Sequence, residues 1–252
     1  MSAPKVSVLM PVRDTHGPWL WQAIKCMAKQ TYEPLDLVIC DNGSTKATTL
    51  DILEKAQETW PDRILETKES EKIGTAYALD ACLKKADSDT VYFTKADSDD
   101  IFHMDREKNR VRLFETIPPQ VALLYDNYFQ LIYEPRPHMI PVTLRPYDYR
   151  VLLDSNYIHG NSMWRASVYD KIPRTFVYDG YDGKANKHGE DYNLWLSITD
   201  FWDGFWMNQD PAFTWTYRVY KDSKYSRDRK GVDYCRALLQ KRAKERRGLG
   251  DT

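Results

Sequence analysis

The chain is predicted to fold as an α/β protein in which helices flank a mainly parallel sheet, and two observations predict this class. Apolar segments with strand character alternate with helix-spaced segments through the first hundred of the 252 residues. Polar clusters follow three of these strands, as expected where parallel strands end at one edge of a sheet. With 42% hydrophobic and 29% charged residues, the composition excludes a disordered or collagen-like chain.

The predicted elements of the first half follow one another in a regular order. The first strand covers 5–10 and ends at Pro11, because proline cannot donate a hydrogen bond to a strand ladder. The spacing of Leu20, Ile24 and Met27 then indicates a helix over 19–29. The same alternation predicts strands over 35–40, 64–67 and 90–94 and helices over 49–59 and 74–86.

Beyond Met104 the pattern is less regular. We expect a helix to about Thr116, one or two strands between Val121 and Tyr133, and a proline-rich connection after them. Neither an internal repeat nor a long linker interrupts this region. The chain is therefore predicted to form one domain over 1–217, with halves at 1–103 and 104–217, followed by a basic tail over 218–252.

The charge of this tail differs from that of the rest of the chain. From Arg218 to Arg247 it holds twelve Lys and Arg against four Asp and Glu, a net +8, whereas the remainder carries −9. A cationic tail on an acidic body predicts an anionic partner, namely nucleic acid, phospholipid headgroups or a charged glycan, unless it is a solvated helix end. The apolar spacing from Val232 to Leu239 predicts a helix that docks on the core, with membrane binding as the alternative.

The sequence also limits the environment of the protein. Four cysteines are scattered without a Cys-x-x-Cys pair, so they indicate neither a zinc site nor a disulfide framework. We find no apolar run long enough to span a bilayer and no signal segment at the start. A cytoplasmic protein is therefore expected, either free or peripherally bound at a membrane.

Two acidic clusters are candidates for chemistry. Carboxylates at alternate positions in Asp97-Ser98-Asp99-Asp100, directly after a strand, are suited to a hard divalent cation. The similar run 87–89 precedes that strand and is predicted to be a solvated loop at the opposite edge. Glu190 and Asp191 begin a helix, where they act either as helix-dipole partners or as a base that accepts a proton from an attacking hydroxyl.

Five segments in a fixed order carry a resemblance to a known family. They are VLMPVRD at 8–14, VICDNGST at 38–45, GTAYALDAC at 74–82, DSDD at 97–100 and ED at 190–191. Their order and spacing resemble the inverting family 2 glycosyltransferases of GT-A fold, over roughly residues 5 to 225. The resemblance implies a Rossmann-like nucleotide-sugar-binding half at 1–103, an acceptor-binding half with a smaller mixed sheet at 104–217, and a closing loop at the start of the tail.

The resemblance also implies roles for individual residues. Asp191 would be the catalytic base with Glu190 beside it, and Asp97 and Asp99 would hold Mn²⁺ or Mg²⁺. The candidates for the nucleotide-sugar pocket are Pro11, Arg13, Asp14, Asp41, Lys72, Asp97, Ser98, Asp99 and Arg218. The candidates for contact with the donor sugar or the acceptor are His159, Gly160, Asn161 and Trp164, the last as a stacking platform, and His188 from its position before Glu190.

The implied activity is transfer of a sugar from a nucleotide-diphosphate sugar, most commonly a UDP-sugar, to a hydroxyl of a glycan or lipid-linked saccharide. Five positions depart from the family pattern. Arg13 and Asp14 stand where an aromatic residue and an asparagine are usual, Leu79 and Asp80 replace an Arg-Asn pair, and Tyr220 replaces a histidine. Two alternatives therefore stay open beside the leading one. One is a glycosyltransferase that modifies hydroxylated bases in DNA through the basic tail, and the other is a catalytically silent nucleotide-sugar-binding protein. A nucleotidyltransferase is disfavoured, because the segment after the first strand holds one glycine.

Overall fold

A computed structural model describes residues 3–177, 189–201, 204–207, 213–221 and 229–249. Its strands are β1 (Lys5–Val12), β2 (Leu35–Asp41), β3 (Ile64–Lys68), β4 (Thr90–Lys95), β5 (Ile101–Phe102), β6 (Val121–Tyr125), β7 (Tyr128–Ile132), β8 (His138–Val142), β9 (Met163–Arg165), β10 (Gly204–Met207) and β11 (Trp215–Val219). Its helices are α1 (Gly17–Ala28), α2 (Ala47–Thr59), α3 (Thr75–Lys85), α4 (Arg106–Phe114), α5 (Tyr149–Asp154), α6 (Glu190–Thr199) and α7 (Arg229–Arg246), with a short 3₁₀ helix at Ala166–Asp170.

Seven strands form the main sheet in the order β10-β6-β9-β4-β1-β2-β3. All of them except β9 run in the same direction, because β9 alone pairs antiparallel with its neighbours β4 and β6. A smaller mixed sheet has the order β5-β11-β7-β8. The predicted fold class, a mainly parallel sheet with helices on both faces and a smaller mixed sheet, is confirmed.

The predicted end of the first strand needs correction. β1 continues through Pro11 to Val12. A proline is tolerated there because β1 pairs with β4 only as far as Leu9, which leaves one side of the strand unpaired. The segment 121–133, for which one or two strands were predicted, forms two strands in different sheets, with β6 in the main sheet and β7 in the small one.

Each face of the main sheet is covered by its own set of helices. Leu9 of β1 packs on the face that carries α3, α6 and α7, whereas Val8 and Met10 pack on the face that carries α1, α2 and α4. This division follows from the alternation of side chains along a strand. Because helices cover both faces, the carboxyl edge of the sheet is left for a site.

The basic tail docks on the core through its apolar side, as predicted. Cys235, Leu239 and Ala243 of α7 are buried in the cluster that includes α6. At the far end of α7, Arg246 and Arg247 donate to Asp200, which follows α6, with N–O distances of 2.8 and 2.9 Å. The boundary predicted at 217/218 falls inside β11.

A buried charged network supports the second half beneath the sheet edge. Arg106, Glu107 and Arg110 of α4 are all fully buried. Arg110 forms an ion pair with Asp126 and also donates to the hydroxyl of Thr94 at 3.1 Å. Each charge has an opposite partner, so removal of one partner would leave the other uncompensated in a low-dielectric interior.

We expect Arg110→Leu to lower the free energy of unfolding by about 3–5 kcal/mol, because Asp126 would then be buried without its ion pair. Arg112→Leu is the matched control, since Arg112 is exposed on the same helix. Its effect should stay within about 0.5 kcal/mol. Urea denaturation followed by tryptophan fluorescence measures both values. Equal values for the two variants would contradict the role of the network.

Candidate active site

Loops at the carboxyl ends of β1, β2, β3 and β4 are joined side by side through hydrogen bonds. Asp14, after β1, accepts from the backbone N–H groups of Thr45 and Lys46 at 2.7 and 2.8 Å. These bonds lower the pKa of Asp14, although burial by itself would raise it. Ser98, after β4, bonds the hydroxyl of Thr15 at 2.8 Å. Three predicted polar clusters therefore share one sheet edge.

Asn42 joins the β2 loop to the segment that precedes α3. Its amide donates to the carbonyl oxygens of Glu69 and Lys72 at 2.7 and 3.0 Å, and its Oδ1 accepts from the N–H of Gly74 at 2.8 Å. Beside it, Asp41 is 6% exposed and accepts from the N–H of Ser44 at 2.9 Å. Asn42 was not among the predicted site residues, although its place in a turn-forming cluster could have indicated a structural role.

The acidic loop 97–100 is held from behind by Asn161. The side-chain oxygen of Asn161 accepts from the N–H of Asp97 at 2.8 Å, and its amide nitrogen donates to Asp100 at 2.7 Å. Arg106 and Arg110 both donate to its backbone carbonyl. This corrects the predicted contact between Asn161 and a sugar. The oxygen and the nitrogen of its side-chain amide both form hydrogen bonds to protein groups, and the residue is 1% exposed.

Asp100 is a fully buried member of the acidic loop to which the sequence assigned no role. Its second oxygen, Oδ1, accepts from the backbone N–H of Arg218 in β11 at 3.0 Å. Burial raises the pKa of Asp100 strongly, and the nearby charges of Asp99 and Asp97 raise it further. Asp100 thus connects the loop to both sheets, while Asp97 and Asp99 are the members with partial exposure.

Lys95, the last residue of β4, brings the acidic loop and the start of α6 together. Its buried ammonium lies 3.0 Å from Oδ1 of Asp97 and 3.4 Å from Oε1 of Glu190. Burial alone would lower the pKa of Lys95, but the charges of Asp97, Glu190 and Asp191 outweigh burial and raise it. Lys95 was not predicted, since a lysine at a strand end has no distinctive spacing.

Asp191 lies in the first turn of α6, next to this cation. Burial raises the pKa of Asp191 to about 6, and the charge of Glu190 adds to the shift. Its Oδ1 accepts from the N–H of Tyr192 at 2.7 Å. Gly189 precedes the helix with a φ of 77°, which favours glycine, and so sets the direction in which the helix starts.

Asp99 and Asp97 form a pair of oxygen donors of the kind that Mn²⁺ and Mg²⁺ accept. Burial raises the pKa of Asp99, and the nearby charge of Asp97 raises it further. The hydroxyl of Tyr220 donates to Oδ2 of Asp99 at 2.7 Å. Among the described residues, no cluster of three or more His, Cys, Asp or Glu side chains is arranged as a metal site.

Arg218 reaches the acidic loop from β11, but its guanidinium is enclosed by protein. It donates to the carbonyl of Asp99, to the hydroxyl of Tyr133 at 3.2 Å and to Oε1 of Gln22 at 2.5 Å. The residue is 2% exposed. Arg218, a candidate for the nucleotide-sugar pocket, is therefore engaged by protein groups and holds the loop that carries Asp99.

His159, before β9, and Trp164, within β9, both pack among other aromatic rings. Trp164 is fully buried in the core between Phe93 and Trp195, so its prediction as a sugar platform is corrected. His159 packs against the ring of Trp215 with centroids 4.3 Å apart, and burial lowers the pKa of His159 to about 4. It is therefore neutral at pH 7. His188 lies outside the described residues.

The positions that depart from the family pattern have structural partners. Leu79 is fully buried, and Asp80 accepts from the hydroxyl of Thr175 and from the N–H of Phe176, both at 2.5 Å. Lys72 lines a groove of about 770 Å³ along α3 that also includes Tyr77. The acidic loop contributes nothing to the lining of that groove.

The predicted position of the acidic run 87–89, in an exposed loop at the opposite edge of the sheet, is confirmed. Asp87 forms an ion pair with Lys5, at the amino end of β1, and Asp89 lies 3.8 Å from the same ammonium. The side chains of Asp87 and Asp89 are 51% and 74% exposed. These carboxylates therefore lie at the opposite edge of the sheet from 97–100, which makes them suitable control positions.

Of the remaining nucleotide-pocket candidates, Pro11 is half-buried and Arg13 is exposed.

The mainly parallel sheet, the smaller mixed sheet and the acidic loop facing the start of a helix at the carboxyl edge agree with the GT-A fold. Residues 7–173 match the model of the family described as Glycosyl transferase family 2. The chain belongs to this family and is a glycosyltransferase.

Two named relatives are similar to this chain. EpsE of Bacillus subtilis (strain 168), named as a glycosyltransferase, is 27% identical over 231 residues, covering 88% of this chain and 75% of EpsE. WfaP of Escherichia coli is named as a UDP-Glc:alpha-D-GlcNAc-diphosphoundecaprenol beta-1,3-glucosyltransferase. It is 30% identical over 110 residues, covering 44% of this chain and 41% of WfaP.

Two solved structures share the fold. TarS of S. aureus in complex with UDP-GlcNAc has a TM-score of 0.68 at 16% identity, over 88% of this chain and 60% of that one. A mannosyltransferase of Pyrobaculum calidifontis in complex with GDP-Man and Mn²⁺ has a TM-score of 0.65 at 18% identity, over 100% of this chain and 66% of that one. The chain spans about 60% of the length of that TarS structure.

Across the described parts of the chain, no helix combines the length and the apolar character needed to cross a membrane.

Proposed function

We propose that this glycosyltransferase moves a sugar from a UDP-sugar to a hydroxyl of a glycan or lipid-linked saccharide, with inversion and with a divalent cation. The observation that carries the proposal is the meeting of Asp97, Glu190 and Asp191 around Lys95 at the carboxyl edge of the sheet. The carboxylate of Asp97 is suited to binding a cation, and that of Asp191 is suited to accepting a proton. Both belong to the group of charges around Lys95. That combination suits displacement of a diphosphate by an alcohol.

Asp191 is the base in this proposal. An alcohol is too weakly acidic to ionise at neutral pH, so a positioned carboxylate accepts its proton as the new bond forms. Burial beside Glu190 gives Asp191 a raised pKa, which brings it closer to the working pH than an exposed aspartate would be. Attack from the side opposite the leaving diphosphate inverts the anomeric carbon.

Asp97 and Asp99 are the residues that would hold Mn²⁺ or Mg²⁺. Such a cation, when bound, neutralises the negative charge that develops on the leaving diphosphate. Arg218 supports this pair by holding the carbonyl of Asp99 and the loop around it. The nucleotide lies along the β1 and β2 loops, where Pro11, Asp14 and Asp41 line the same edge.

The donor and acceptor classes are supported by the relatives. TarS was solved with UDP-GlcNAc, and the name of WfaP specifies a UDP-Glc donor and a diphosphate-linked lipid acceptor. These support a UDP-sugar and a glycan or lipid-linked acceptor over a nucleic acid. A cytoplasmic location, with peripheral membrane contact through the basic α7, accords with such an acceptor.

A thermal-shift screen of nucleotide-sugars with and without manganese tests this proposal. A UDP-sugar should raise the melting temperature only when manganese is present, and slow release of free UDP should follow. A shift without any UDP release, with every acceptor tested, would favour the catalytically silent binding protein. If none of the nucleotide-sugars raised the melting temperature, the proposal would be contradicted.

The rate should depend on pH through Asp191. The carboxylate accepts a proton only when it is ionised, so kcat/KM should rise about tenfold per pH unit from about pH 5 and level off above about pH 6. A pH profile at subsaturating acceptor measures this, with donor affinity recorded at each pH as a control. A flat profile across this range would contradict the role of Asp191.

A further inference from the structure

We propose that Lys95 is a positioning residue that connects the acidic loop to the start of α6, and that Gly160 is required to leave space for this connection. The inference rests on the proposed function, because it concerns the relative placement of the cation ligands and the base. It assigns roles to two residues of the chain that do not themselves touch the reacting atoms.

The connection consists of ion pairs between elements that are distant in the chain. Lys95 lies within 3.0 Å of Asp97 in the acidic loop and 3.4 Å of Glu190 in α6, and its ammonium is almost fully buried. It also acts electrostatically on Asp191, the residue after Glu190. One ammonium thus offsets the mutual repulsion of three carboxylates. Without it, the two acidic segments would repel each other.

Gly160 provides independent geometric support. A Cβ built on Gly160 would lie 2.8 Å from both Oδ2 of Asp191 and Nζ of Lys95. Both atoms therefore lie next to the position that a Cβ of residue 160 would take. The distance between Oδ2 of Asp191 and Nζ of Lys95 is at most twice 2.8 Å. A methyl group at this point would push one or both atoms away. Gly160 thus allows the base and the cation to approach each other.

Asn161 and Gly189 keep the two sides of this connection in place. Asn161 bonds the backbone of Asp97 at 2.8 Å, while Gly189 packs against α7, since a Cβ built on it would lie 3.0 Å from Leu239. Lys95 joins two segments that are each anchored separately. A change at Lys95 is therefore expected to alter their spacing more than their folding.

The kinetic test compares Lys95→Met with Lys55→Met, an exposed lysine on α2. We expect Lys95→Met to lower kcat about 100-fold, because a base displaced by about 1 Å loses a factor of this size, while donor KM changes by a much smaller factor. Lys95→Arg keeps the positive charge and should recover part of the lost kcat. Lys55→Met should retain the wild-type values. If Lys95→Met kept the kcat of the wild type, the role of Lys95 would be overturned. The proposed function would still stand in that case, because the wild type itself would transfer the sugar.

Gly160→Ala tests the same connection without removing a charge. It should lower kcat by a similar factor of about 100, with the same small effect on donor KM. Normal kcat in Gly160→Ala would overturn the role of Gly160 even if Lys95→Met failed to fold.

Amide hydrogen exchange provides a readout that needs no turnover. In Lys95→Met, exchange should quicken in peptides covering 96–101 and 189–194 and stay unchanged in α2. Unchanged exchange in both peptides would overturn the connection. This result would hold even if the wild type transferred no sugar, so failure of the inference and failure of the proposed function can be told apart.

Discussion

Asp191→Asn is expected to lower kcat about 10³-fold while leaving the affinity for donor nearly unchanged. Asparagine has almost the same shape as aspartate, but it cannot accept the proton of the attacking hydroxyl, and base catalysis of this kind contributes about 10²–10⁴-fold. The bond from the N–H of Tyr192 at 2.7 Å can be kept by the amide oxygen, so the start of α6 should be retained. Initial rates of UDP release and donor binding by calorimetry measure the two effects.

Asp200→Asn is the matched control for this variant. Asp200 follows the same helix, where it pairs with Arg246 and Arg247, and it lies at the end opposite Asp191. Its replacement should reduce stability with little effect on kcat. If Asp191→Asn kept more than about a tenth of the wild-type kcat, general base catalysis by this residue would be ruled out.

Asp99→Ala is expected to weaken donor binding in the presence of manganese by at least about 100-fold. The alanine removes one of two carboxylates proposed to hold the cation, and the diphosphate binds through that cation. Without manganese, the variant and the wild type should bind the donor equally weakly. Titration calorimetry of UDP-sugar at fixed manganese, together with direct titration of manganese, measures both parts of this prediction.

The division of labour follows from comparing these two variants. Asp89→Ala is the control for Asp99→Ala, because Asp89 belongs to a similar acidic run but its side chain is 74% exposed at the other edge of the sheet. It should bind donor as the wild type does. Equal losses of donor affinity in Asp99→Ala and Asp191→Asn would contradict separate roles for the cation pair and the base.

Local sequence patterns predicted most of the first half of the fold. The spacing of Leu20, Ile24 and Met27 is a local property of a helix, and β2 and β4 are apolar runs that end in turns. The structure differs from the prediction there mainly at element ends, as at Pro11. A strand position that is paired on one side only tolerates a proline, and the sequence does not show where the pairing on each side of a strand ends.

The second half was harder to predict because its elements belong to two sheets. Residues 121–133 contain two adjacent strands, and no local pattern shows that β6 joins the main sheet while β7 joins β8 and β11. The same is true of Trp164. The motif around this residue suggested a sugar platform, whereas its position on β9, between β4 and β6, buries the ring.

The sequence by itself determined the family, the α/β class and the acidic residues that chemistry of this kind requires, because these depend on residue type and order along the chain. Only the tertiary structure decided which groups surround those acids. The acids Asp97 and Asp191 are surrounded by Lys95, Gly160 and Asn161, which are distant in the sequence from one or both of them. The largest of these separations, between Lys95 and Asp191, is 96 residues. Such contacts depend on where strands and helices end in space, and burial and neighbouring charges then shift the pKa of each group.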